Sequence, residues 1–76
     1  MPAKKSAANQ ALGQAIRATR RERGLAQEAL ANRAAIDRSY GGAIERGEFN
    51  ITLDTIAKIA TALGTRPSRL LARAGL

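Results

Sequence analysis

Five residues of one short segment have the types and the spacing to read a nucleic acid. Arg38, Ser39, Gly42, Ala43 and Arg46 are expected on the outward face of a helix running from about Asp37 to Arg46. An arginine can give two parallel hydrogen bonds to a guanine edge. A serine hydroxyl can bond a base or a phosphate, and an alanine methyl can meet the methyl of a thymine. Gly42 has no Cβ, so the helix backbone could approach a partner closely there. No carboxylate lies on the segment between Arg38 and Ile44. A small, polar, basic face suits the DNA major groove, which is wide enough to admit a helix. Each residue also has a plainer reading: Arg38 as a solvated arginine, Ser39 as a first-turn residue, Ala43 as a spacer.

Other chemistry is poorly supplied. The chain has no histidine and no cysteine. Its acids, Glu22, Glu28, Asp37, Glu45, Glu48 and Asp54, each have a plausible structural task, and there is no glycine-rich phosphate loop or metal-ligand spacing. The expectation is a protein that is not an enzyme and uses no metal or cofactor.

The helix that carries the five residues must be held by its neighbours. Residues Gln27 to Ala34 read as one short helix, with Ala35 and Ile36 as a turn. Asp37 can cap the next helix through its side-chain oxygen, and Gly47 can stop it in the left-handed conformation. Leu30, Ala31 and Ala34 share a face of the first helix, and Tyr40 and Ile44 share a face of the second. Ala31 is small where two helices must cross. Before this pair, a helix is expected from about Asn9, with Asn9 as a cap, to Arg23, burying Leu12, Ile16 and Thr19, with Ala15 beside them. Gly24 ends it and Leu25 packs back. Arg21 and Arg23 either complement the helix dipole or touch phosphate. After the pair, Thr52 caps a helix whose apolar stripe is Leu53, Ile56, Ala57, Ala60 and Leu63, widened by Ile59 and closed by Gly64. A last short helix opens at Pro67 and carries Leu70 and Leu71. Nothing alternates as a strand would. The expected fold class is all-α, five short helices around one core. Residues 9–76 form the domain and residues 1–8 a flexible basic tail, either a solvated end or an arm against DNA.

Seventy-six residues make one domain. Thirteen Lys and Arg against six Asp and Glu give a formal charge of +7, which favours polyanions: nucleic acid first, an anionic membrane surface second. No apolar run approaches the ~20 residues of a membrane span, and no apolar stretch follows Lys4 and Lys5 as in a secretory signal. A cytoplasmic location without membrane association is expected. A chain this short buries only about 60–65% of its unfolded surface, so a second copy bound to the folded state would add needed stability.

The stretches LGQAIRATRRERGL, QEALANRA, DRSYGGAIERGEFN and TLDTIAKIATALG, in that order, resemble the phage-repressor and Cro-like helix-turn-helix domains, the xenobiotic-response-element group of bacterial regulators. The resemblance covers about Asn9 to Leu71. It implies a lambda-repressor-like fold, a recognition helix third in order, and a homodimer on a near-palindromic operator in double-stranded DNA. It further implies base contacts from Arg38, Ser39 and Ala43, with Gly42 beside them. Phosphate contacts are implied for Gln27, Tyr40, Arg46 and Asn50, and an ion bridge for Arg20 with Glu45. Tyr40 could serve the core instead. Phe49, Ile51, Leu70 and Leu71 are the dimer-interface candidates, although Phe49 could equally plug the core edge. A single-domain chain of this size is similar to the controller proteins of restriction–modification systems, which makes autoregulation the expected role. The alternative is an antitoxin-type or phage-type repressor acting partly through a protein partner.

Three departures from the family pattern carry a cost. Ala26 stands where a Ser or Thr cap is preferred, worth about 1 kcal/mol. Ala35 stands where the turn usually has glycine, with strain of roughly 1 kcal/mol if its φ is positive. Gly41 and Gly42 sit inside the recognition helix, where each costs up to ~1 kcal/mol against alanine. Gly42 has a reason if DNA approaches it; Gly41 has none.

Overall fold

The computed structural model describes residues 5–76, which form α1 (Ala7–Glu22), α2 (Gln27–Ala34), α3 (Arg38–Glu45), α4 (Leu53–Leu63) and α5 (Pro67–Arg73). No strand occurs among the described residues. The starts of α3 to α5 follow from local chemistry, while α2 starts after Ala26 with no side-chain cap. Asp37 caps α3, accepting from the Ser39 amide at 3.0 Å, and Thr52 caps α4, accepting from the Thr55 amide at 3.1 Å. Pro67 opens α5, where a missing N–H costs nothing. Helix α1 begins two residues before the expected Asn9. Ser6 is its cap, accepting from the Asn9 amide at 3.0 Å. Ala7 and Ala8, strong helix formers, extend the helix back to that serine. Residues 1–4 of the expected tail lie outside the described residues.

All five helices end alike. In each, a residue at positive φ follows the helix, and the next amide reaches back to a carbonyl five residues earlier. The pairs are Leu25 to Arg20, Ile36 to Ala31, Glu48 to Ala43, Thr65 to Ala60 and Leu76 to Leu71, at 2.9–3.1 Å. Four of the five positive-φ positions are glycine; the fifth is Ala35, at φ 56° and ψ 43°. The strain anticipated at this turn is therefore present. Ala35→Gly should raise stability by roughly 1 kcal/mol, read as a higher urea midpoint at unchanged slope. An unchanged midpoint would mean that the turn is not strained.

The core joins Leu12 and Ile16 of α1, Leu30 and Ala34 of α2, Ile44 of α3, Ile56, Ile59, Ala60 and Leu63 of α4, and Leu70 of α5. Helix α3 packs against both α1 and α2. Helix α4 lies behind α2, and α5 closes against α1 and α4. Three side chains differ from expectation. Leu53 and Ala57 are exposed, Leu53 by 77%. The buried arc of α4 is centred on Ile56 and Leu63, with Ile59 and Ala60 at its edges, and Leu53 and Ala57 fall outside it. Leu70 is 1% exposed, so it belongs to the core and offers nothing to a dimer surface.

Candidate nucleic-acid interface

Helix α3 is braced from below by its last residue. Glu45 is buried, and the guanidinium of Arg20 on α1 grips it in a fork, Nε to Oε2 at 2.7 Å and Nη2 to Oε1 at 3.0 Å. Arg20 also donates from Nη1 to the Leu25 carbonyl at 2.8 Å. Gln27 Nε2 and Arg17 Nε donate to Glu45 Oε1 at 3.1 and 3.4 Å. The expected bridge exists, and it is larger than a pair. One carboxylate joins α1, the start of α2 and the end of α3. Burial pushes the Glu45 carboxyl up, but the hydrogen bonds from Arg20, Gln27 and Arg17 and the charge of Arg20 outweigh it and hold it below its ordinary value. A depressed carboxyl contributes stability at neutral pH and loses it as pH falls through the folded-state value. Acid titration should show stability dropping below about pH 4, with a flatter slope in Glu45→Gln. An equal slope in both proteins would place the acid sensitivity elsewhere.

The backbone of α3 also meets α1 directly. A Cβ built on Gly13 would lie 2.5 Å from the Ile44 carbonyl oxygen and 2.6 Å from that of Glu45. Gly47, at φ +75°, presses in the same way on the backbone of Gln10. Two glycines thus seat the end of α3 on α1. A glycine within a helical pattern was a signal available in the sequence, but its partner was not.

Beside this brace, α3 forms a polar cleft lined by Gln27, Arg38, Ser39, Gly42 and Arg46. Arg38 and Ser39 are exposed at its edge. Arg38 makes one long contact to Glu28, 3.3 Å, between side chains 68% and 63% exposed. Such a surface pair is worth little and is easily exchanged. Arg46 lies over Gly42 and is paired with Glu48 at 2.8 and 3.1 Å. Gly42 forms the floor of the cleft: a Cβ there would sit 3.1 Å from an Arg46 nitrogen. Ala43 is not part of this face. It is 4% exposed, turned inward because α3 is covered on two sides, so the expectation that it faces bases is corrected.

The remaining expected contacts are placed as follows. Tyr40 is half-buried against the core, its ring edge-on to Phe49 at 5.9 Å. Asn50 is exposed and accepts from Asn9 Nδ2 at 2.8 Å. Arg23 donates to the Leu63 carbonyl at 2.9 Å, a tie to the end of α4 rather than a free cation. Gly41 faces α2, where an added Cβ would make ordinary contacts with Ile36 and Ala31 at 3.6 and 3.8 Å. No helix of the described residues is long and apolar enough to cross a membrane.

Comparison with known proteins agrees with this fold. A helix-turn-helix domain family matches residues 13–76. The chain is similar to control protein C.SmaI of Serratia marcescens, 42% identical over 86% of this chain and 77% of that protein. The crystal structure of the restriction-modification controller protein C.AhdI from Aeromonas hydrophila superposes with a TM-score of 0.84 at 45% identity, over 86% of this chain and 98% of that one. The immunity repressor protein of Bacillus phage phi105 is 43% identical over 79% of this chain, but over only 42% of its own length.

Proposed function

The chain belongs to the helix-turn-helix domain family and is a DNA-binding transcription regulator; from that premise we propose that it binds a near-palindromic operator as a homodimer and regulates its own promoter as a restriction–modification controller. The observation that carries the reading is the open side of α3. Its cleft is polar and basic, its floor is a glycine, and Arg38 and Ser39 stand at its edge with no strong internal partner. Arg38 and Ser39 are assigned to base edges, with Gly42 allowing close approach. Gln27, Arg46 and Asn50 are assigned to phosphates. Tyr40 joins them only through its hydroxyl, since its ring serves the core. The work takes place where the genome lies, in the cytoplasm.

A second copy follows from size. The domain measures 28 × 25 × 20 Å, shorter than the roughly 34 Å that separates half-sites one helical turn apart. One domain reaches one half-site. Phe49, Ile51 and Leu71, each partly buried, and the exposed Leu53 are the apolar residues left for a contact between copies. The controller role is favoured over a phage-type repressor because the controllers are matched over most of their length and the phage protein over less than half. A methyltransferase gene beside this one would support the controller role, and prophage genes would support the other.

Arg38→Ala should cost about 1–3 kcal/mol on a selected operator and much less on random duplex, relaxing base preference at one position per half-site. Competition titrations with the two DNAs measure this. An equal loss on both would make Arg38 a phosphate contact.

A further inference from the structure

Glu45 ties the α3 cleft to a second one. Its Oε1 accepts from Gln27, which lines the α3 cleft, and from Arg17, which does not. Arg17 instead lines a neighbouring cleft between α1 and the end of α3, together with Lys5, Gln10, Gln14, Glu45 and Arg46. Arg46 belongs to both, so the two clefts adjoin on one surface. The second cleft gathers three cations, of which Arg46 is already paired with Glu48. Its one carboxylate, Glu45, is already gripped by Arg20. Arg17 gives Glu45 only its Nε, at 3.4 Å, the longest bond of that cluster, and its side chain is 42% exposed. Its two Nη groups make no hydrogen bond among the described residues. Gln10, Gln14 and Arg17 stand at i, i+4 and i+7 on α1, one above another on the same face. Amide and guanidinium donors with an excess of positive charge form a receptor for an oxyanion.

We propose that this α1–α3 cleft binds a DNA backbone phosphate next to the α3 cleft, with Arg17 and Lys5 as its cations and Gln14 as a donor. The footprint would then extend from α3 onto α1. The inference rests on the DNA-binding reading above. It gives Arg17, Gln14 and Lys5 a task that neither the spacing of α3 nor the fold requires, and one that carries no sequence information.

Binding to a selected operator and to a random duplex, each across a salt series, tests it with two variants. Arg17→Ala should weaken binding about three- to tenfold per protomer on both DNAs alike and make the slope of log K against log salt shallower by about 1.8, one phosphate for each protomer of the dimer. Gln14→Lys should strengthen binding on both and steepen that slope by about 1.8. A loss of affinity caused only by a loosened Glu45 would lower the melting temperature and leave the slope unchanged. Parent-like slopes in both variants overturn the cleft assignment. If Arg17→Ala fails to fold, Gln14→Lys decides alone. A parent protein that binds neither DNA overturns the underlying DNA reading instead.

Discussion

Glu45→Ala is expected to lose about 3–5 kcal/mol, the usual cost of leaving one member of a buried ion pair alone. Arg20 is 7% exposed, and without Glu45 its only remaining side-chain bond among the described residues is to the Leu25 carbonyl. Gln27 and Arg17 lose an acceptor in the same step. Small domains have roughly 5–15 kcal/mol in all, so the variant should be partly unfolded at 37 °C and should bind DNA poorly at any sequence. Arg20→Ala should be nearly as damaging, for the mirrored reason. The double variant Arg20→Leu with Glu45→Leu should recover much of the loss, because no charge is then left buried. Urea titrations of the parent, Arg20→Leu, Glu45→Leu and the double leucine variant form a cycle. Losses that simply add would show that the fork between α1 and α3 contributes no coupling, and the brace under α3 would have to be sought elsewhere.

The second large effect comes from a single methyl group. Gly13→Ala should gain up to ~1 kcal/mol in helix propensity if the backbone alone decided. Packing decides otherwise. The new carbon would lie 2.5–2.9 Å from carbonyl atoms of Ile44 and Glu45, which cannot swing aside as a side-chain end can. The helices must separate, and the expected net loss is at least the ~1–3 kcal/mol of an overpacked core. Separation also tilts α3 and strains the Glu45 fork, so operator affinity should fall more than the melting temperature alone suggests. Gly41→Ala is the internal control. It is the same substitution in the same kind of element, but its neighbours stand at 3.6 and 3.8 Å. It should gain up to ~1 kcal/mol and leave binding unchanged. If the two variants shifted stability in the same direction, the close approach of α1 to α3 would be wrong.

How much of this could be read from the chain depended on the kind of signal. Caps and stops act within a few residues, so Asp37, Thr52, Gly64 and Pro67 marked their helix ends correctly. The strained turn at Ala35 was legible for the same reason. At the start of α1 two polar residues, Ser6 and Asn9, stand within one turn and the alanines between them suit a helix, so local chemistry does not single out Ser6 as the cap. Periodicity shows which residues share a face, but not how wide a buried arc the neighbours create. Helix α3 is covered by both α1 and α2, and that wider cover turns Ala43 inward. Helix α4 is covered over a narrower arc, and that leaves Leu53 out. Leu70 and Leu71 are adjacent and chemically alike; only the tertiary arrangement sends the first into the core. Arg20 with Glu45 came from the family resemblance and not from spacing, because nothing local links residues 25 apart. The contributions of Arg17 and Gln27 to that same carboxylate, and the seat formed by Gly13, exist only once α1, α2 and α3 are brought together.

The claim beneath all of this is that α3 enters the major groove with Arg38 leading. Methylation interference on a selected operator tests it most directly, because dimethyl sulfate marks guanine at N7 in the major groove and adenine at N3 in the minor groove. N7 methylation is expected to block binding at guanines in two clusters about one helical turn apart, and Arg38→Ala to abolish the block at one guanine in each. Binding that tolerates N7 methylation throughout, and is blocked only by methyl groups in the minor groove, would contradict it.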